Sequence, residues 1–303
     1  MRKITLLFFV FISVFTVQAK ERYFLTSDSV RLYLNVKGSG TPCLYIHGGP
    51  GSGSFWMEKF IGDFLEQHFR MIYLDQRGVG RSSSPKDNNY SMERIVNDFE
   101  EVRQALGIKQ WLTFGHSFGG ILQMGYVTSR PSSIIGMMFI NCTLSMNDSF
   151  GNNWLPKALE LAGENAPAIC SDKSVSVYER MLAIMPVLNE KGEMWKIFFA
   201  NQDNSLKMNE TYSNFNSWNS DQSEKILEVV EYWNDYGKLS QEVKQPVLFY
   251  YGTTDWAIGP KHYKLAAFPD MILWQGNVGH MPFLENRKDL EKAIRKYIAN
   301  NKL

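Results

Sequence analysis

Short apolar runs alternate with longer segments whose apolar positions recur at helical spacing, and the alternation persists through most of the chain. The short runs predict strands at 23–26, 31–36, 43–47, 71–75, 111–115, 135–141, 247–252 and 271–275. The longer segments predict helices at 54–67, 91–106, 119–129, 261–268 and 282–299. Ser91 can cap the second of these, and Gly107 is a natural stop after it. Strand and helix in this order predict an α/β fold, a mostly parallel sheet of about eight strands with helices on both faces. The first two strands, joined through 27–30, read instead as an antiparallel hairpin at one edge.

Between 143 and 240 the alternation breaks, and no strand pattern appears. This stretch holds 12 aromatic residues, among them Trp154, Trp195, Trp218 and Trp233, and 14 acidic residues against 8 basic ones. It reads as a helical cap, or lid, inserted into a core made of 20–142 and 241–303. At the other end, Arg2-Lys3, an apolar run from 4 to 17 and the small residue Ala19 have the pattern of a secretory signal peptide, residues 1–19. The run is shorter than the roughly 20 residues needed to span a bilayer. The expectation is an exported protein, periplasmic or secreted, with no stable membrane span after cleavage.

Charge and cysteine content then narrow the function classes. A formal net charge of +1 over 303 residues gives no basic excess for neutralising phosphates, so no nucleic-acid partner is expected. Three cysteines are too few for a disulfide scaffold or a Cys-rich zinc module. Cys43 lies inside an apolar strand pattern, and Cys142 with Cys170 is the pair an oxidising compartment could join.

The chemistry is carried by a strand leading into Gly115-His116-Ser117-Phe118-Gly119-Gly120 and then a helix. This is G-x-S-x-G in the strand-turn-helix setting that raises a serine hydroxyl above a sheet, at a helix N-terminus that favours developing negative charge. A second strand leads into His47-Gly48-Gly49-Pro50-Gly51, where glycines let backbone amides approach a ligand. One oxyanion donor is expected from Gly49, with Gly48 as the alternative, and the other from the amide of Phe118. A phosphate cradle does not fit, since no Lys-Ser/Thr follows and G-x-G-x-x-G is absent. His47 reads as a structural hydrogen-bonding residue.

A serine nucleophile needs a base held by a carboxylate, and in this class the chain order is Ser, Asp, His. Only His262 and His280 come late enough; His280, in a loop after the last strand, is preferred. Asp255 follows the strand at 247–252 and is the expected carboxylate, with Asp270 as fallback. No metal or cofactor is expected.

These motifs, together with Asp75-Gln76-Arg77-Gly78-Val79-Gly80-Arg81-Ser82, resemble an α/β-hydrolase, and within that superfamily the proline iminopeptidase group of serine aminopeptidases. The resemblance covers roughly 23–142 and 246 to the C-terminus. It implies a Ser117–His280–Asp255 triad and cleavage of a short peptide or aminoacyl amide with a free N-terminus. Carboxylester cleavage and non-catalytic ligand binding are the rivals. It also implies that Asp75 and Arg77 form a structural ion pair near the site, and that acidic cap residues clamp the α-amine of the substrate. Trp256, not an acid, follows Asp255.

Overall fold

Eight strands form one sheet in the computed structural model, which describes residues 20–211 and 217–303. The expected leader at 1–19 lies outside the described residues. In chain order the strands are β1 (Lys20–Leu25), β2 (Arg31–Lys37), β3 (Thr41–Ile46), β4 (Phe69–Asp75), β5 (Trp111–His116), β6 (Ile134–Ile140), β7 (Val247–Gly252) and β8 (Met271–Gly276). They lie side by side as β1-β2-β4-β3-β5-β6-β7-β8. The pairs β1/β2 and β2/β4 are antiparallel and all others parallel. The mostly parallel sheet expected from the alternation is therefore present, edge hairpin included, as the resemblance to α/β-hydrolases implies.

The helices are α1 (Phe55–His68), α2 (Met92–Ala105), α3 (Gly119–Ser129), α4 (Leu155–Ala162), α5 (Val177–Glu190), α6 (Trp195–Phe198), α7 (Gln202–Asn209), α8 (Asp221–Lys225), α9 (Pro282–Glu285) and α10 (Arg287–Asn301). Successive strand residues point to opposite faces, and the two faces have separate cores. Leu44 and Ile46 of β3 pack with α2 and α3 through Ile95, Phe99 and Leu122. Cys43 and Tyr45 pack with α1 and α10 through Phe64, Leu65 and Ile294. Coverage on both sides explains why β5 reads as an unbroken buried run. Ser91 does cap α2, its side chain accepting the Arg94 amide.

Two helices depart from expectation. The segment at 261–268 holds only a single 3₁₀ turn, His262–Leu265, because the Ala267 amide donates to Ser240 Oγ instead of continuing a helix. The segment at 282–299 divides at Asn286, whose side chain accepts the Asp289 amide and starts α10 afresh.

The Asp75–Ser82 loop is also corrected. Asp75 and Arg77 do not pair with each other. Asp75 pairs with Arg81 at 2.7 Å and accepts the Ser54 amide and hydroxyl, each at 2.8 Å. Arg77 is fully buried and forks onto both oxygens of Asp98, at 2.6 and 2.8 Å, while reaching Asp28 at 2.9 Å. With its charges so neutralised, the loop offers its backbone to the returning end of the cap. Gly80 and Asn219 exchange two backbone hydrogen bonds, at 2.8 and 3.1 Å, and the Gln222 amide donates to the Gly78 carbonyl.

The three cysteines are free and buried, so Cys142 and Cys170 are not joined. Cys142 belongs to the α2/α3 core, Cys43 to the α1/α10 core, and Cys170 to a separate cap cluster around Trp154 and Ile184. Each fills its own apolar site, which raises the thiol pKa and keeps the thiols protonated.

Candidate active site

Ser117 occupies the turn between β5 and α3 with φ of +57°, a conformation that costs a non-glycine residue about 1–3 kcal/mol. Its surroundings hold it there. The Ser117 carbonyl accepts the amides of Gly120 at 3.0 Å and Thr143 at 3.1 Å. A methyl group on Gly115 would overlap the Gln123 side chain, and one on Gly119 the Ile46 carbonyl. Glycine on both sides removes these overlaps, and at Gly119 the obstacle is backbone that cannot yield.

The structure brings Ser117, His280 and Asp255 together. His280 Nε2 lies 2.9 Å from Ser117 Oγ, and His280 Nδ1 lies 3.0 Å from Asp255 Oδ2. A carboxylate only accepts, so Nδ1 carries the proton and Nε2 is free to take one from the hydroxyl. All three residues are buried. Burial works against the charge on Asp255, but His280, Asn141 and the Ile258 amide outweigh it and hold the carboxyl below the usual carboxylate range. Its other oxygen accepts the amides of Ala257 and Ile258, at 3.0 and 3.2 Å.

Gly49, at φ +110°, and Phe118 line the same cavity as Ser117, whereas Gly48 does not. Among the described residues, neither the Gly49 nor the Phe118 amide donates to a protein acceptor. Gly48 is pressed against the turn: a methyl there would sit 2.5 Å from Ser117 Cβ.

The remaining histidines have other partners. His47 Nε2 accepts the Gln76 amide at 3.0 Å, so its Nδ1 donates to the Gly48 carbonyl at 3.1 Å; burial pushes it down to about 4 and it stays neutral. His116 donates from Nε2 to the His280 carbonyl at 2.8 Å, and burial, then the facing His280 ring, push it down to about 3. His262 accepts the Leu144 amide at 2.8 Å and meets Asp148 at 2.7 Å, at the base of the cap. The fallback Asp270 is exposed ahead of β8.

Between core and cap lies a cavity of about 410 Å³, within the roughly 300–1,000 Å³ of small-molecule sites. Ser117, His280, Gly49 and Phe118 form its floor, and α5 contributes to its cover. Six methionines line it: Met146, Met181, Met185, Met194, Met208 and Met281. Among the described residues, no Asp, Glu, Lys or Arg does. The acidic cap residues expected to face a substrate amine do not reach this lining. Nor, among the described residues, are three His, Cys, Asp or Glu side chains grouped to hold a metal ion.

A sequence profile for the alpha/beta hydrolase fold matches residues 41–287. The chain belongs to that family. Among curated alpha/beta hydrolase relatives, the proline iminopeptidase of Neisseria gonorrhoeae is 35% identical over 120 residues, 38% of this chain and 38% of that protein. The proline iminopeptidase of Arabidopsis thaliana is 34% identical over 116 residues, covering 37% of this chain and 30% of the relative. The chain therefore matches less than half the length of these relatives. Similarity of shape is broader. A proline iminopeptidase-related protein from Thermus thermophilus superposes with a TM-score of 0.77 at 19% identity, covering 93% of this chain and 98% of that one. An esterase from Thermogutta terrifontis gives 0.68 at 19% identity, covering 93% and 99%.

Two residues of this alpha/beta hydrolase site were not singled out in the sequence. Asn141, at φ +47°, donates its side-chain amide to Asp255 Oδ2 at 2.8 Å and to the Gly279 carbonyl at 2.9 Å, tying the Asp and His loops together. Its signal is an asparagine at the exit of a buried strand, where a left-handed residue is tolerated. Glu285 accepts the amides on either side of His280, from Gly279 at 3.2 Å and Met281 at 3.1 Å, and the cap amide of Ala200 at 2.7 Å. It carries no local signal, because its partners lie in a loop and in the cap.

Proposed function

We propose that this chain is a serine hydrolase working through an acyl-enzyme. The observation that supports it is the unbroken hydrogen-bond chain Ser117–His280–Asp255 at the floor of the cavity. His280 Nε2 takes the hydroxyl proton as Ser117 Oγ attacks a carbonyl carbon. The resulting oxyanion is received by the amides of Gly49 and Phe118, each worth about 3–4 kcal/mol in such sites. His280 passes its proton to the leaving group, then deprotonates a water that releases the acyl group, and Asp255 holds the imidazole throughout.

The relatives carry the first reading of the substrate, an aminoacyl amide or short peptide cleaved as by a proline iminopeptidase. A second reading, ester cleavage, has its own support: among the described residues, no carboxylate lines the cavity to receive an α-ammonium group. Turnover of a prolyl arylamide, other aminoacyl arylamides and a p-nitrophenyl ester, measured side by side, separates the two. Ester turnover without aminoacyl cleavage sets the peptidase reading aside. Activity retained in Ser117→Ala sets both aside. Export belongs to the same proposal: N-terminal sequencing should find the mature chain starting at Lys20, and an intact Met1 on the working protein would count against it.

A further inference from the structure

The stripe of side chains that α5 presents over the reacting groups carries information about the acyl half of the substrate, given the serine hydrolase reading above. Tyr178, Met181, Leu182 and Met185 all line the cavity. Their spacing of three, four and seven residues marks one face of a helix. Met181 also packs into the cap's own core, but Leu182 remains 49% exposed and Met185 37%. The helix is nonetheless well anchored. A reciprocal capping box between Ser176 and Glu179 fixes its first turn, and Ile184 and Leu188, on another face, are fully buried.

Among the described residues, no formal charge meets this stripe from the other walls. Three of the cap carboxylates are held by partners of their own: Asp148 by His262, Asp221 by Lys225 and Glu179 within the capping box. An α-ammonium drawn in beside the stripe would lose its hydration and gain no counter-ion. An alkyl chain would gain, by up to about fourfold in kcat/KM for each methylene buried. Methionine side chains, flexible and polarisable, suit chains that vary in shape.

We infer that the substrate's acyl group is an uncharged apolar chain longer than acetyl, seated against the α5 stripe, and that the bond cleaved is an ester. Ser117 Oγ bonds to the acyl carbon while the C–O bond to the alcohol breaks, and the serine proton leaves on the alcohol by way of His280. Water then adds its oxygen to the acyl carbon, returns a proton to Ser117 through His280, and the carboxylic acid departs.

The test is kcat/KM for p-nitrophenyl acetate, butanoate, hexanoate and octanoate, with a prolyl arylamide alongside, the concentration of reactive Ser117 being taken from fluorophosphonate titration of a parallel sample. The expected result is a rise of at least about tenfold from acetate to hexanoate, with the arylamide below butanoate. The double variant Leu182→Ser/Met185→Ser changes side chains that are already partly in water, so it keeps the fold by circular dichroism, and it flattens the rise. Acetate turned over as well as hexanoate, preference for the arylamide, or an unchanged slope in the double variant overturns the inference. If Ser117 still titrates in those cases, the hydrolase reading stands; if it does not titrate, that reading falls as well.

Discussion

At the Ser117 turn a single added methyl group would collide on every side, whereas in the cap directly above it two residues of the α5 stripe remain open to solvent. The first region is held by backbone contacts between neighbouring strands and a helix, which leave the nucleophile one position. The second consists of short helices of four to fourteen residues, tied to the core by hydrogen bonds scattered along the cap. These include the Gly80–Asn219 pair, Trp218 to the Gly51 carbonyl at 3.1 Å, and Glu285 to Ala200. The contrast teaches where rate and choice reside. Chemistry depends on a geometry fixed by sterics, and selection on a surface that can be changed without moving that geometry.

The sharpest way to break this division is at the triad. Asp255→Asn should lower kcat by roughly 10³–10⁴-fold, because the imidazole loses the partner that fixes its tautomer. The ranking of substrates should stay as in the unmodified protein; a changed ranking would show that the two regions are not separable. Stability should divide in the same manner. Arg77→Leu strands Asp98 without its forked partner in a buried site and should cost about 3 kcal/mol or more by urea unfolding. Leu182→Ser should move stability by no more than about 0.5 kcal/mol. Equal losses at the two positions would remove the distinction.

Acid sensitivity also belongs to the core side. His47 and His116 are held at about 4 and about 3, below the ordinary 6.5, so the unfolded chain takes up protons first as pH falls. Their contribution is complete above about pH 6.5 and is lost as pH drops through the folded values, by at most about 1.4 kcal/mol per unit for each. The urea midpoint should therefore decline from pH 7 to pH 4.5, less steeply in His47→Gln. An identical slope in that variant would contradict the assignment.

The parts legible in the sequence are those built from local contacts. The strand positions along the chain, the glycines around Ser117 and the cap of α2 at Ser91 all arise within a few residues of their signals. What escaped was non-local. Arg77 was expected to face Asp75, but the forked site of Asp98 and Asp28 comes from α2 and the turn after β1, which proximity in sequence does not reveal. The helix expected at 261–268 failed because Ser240, from the end of the cap, captured a backbone donor. The excess of acidic residues between 143 and 240 suggested a cationic substrate. Folding engages several of those carboxylates in caps and ion pairs, and among the described residues it leaves methionine, not acid, facing the cavity.

The central claim is that Ser117 becomes covalently acylated, and peptide mapping after fluorophosphonate treatment of the folded protein tests it most directly. One adduct per chain is expected, on the peptide carrying Gly115 to Gly120, and it should be absent from Ser117→Ala. No adduct in folded protein, or an adduct that persists in Ser117→Ala, would contradict the account.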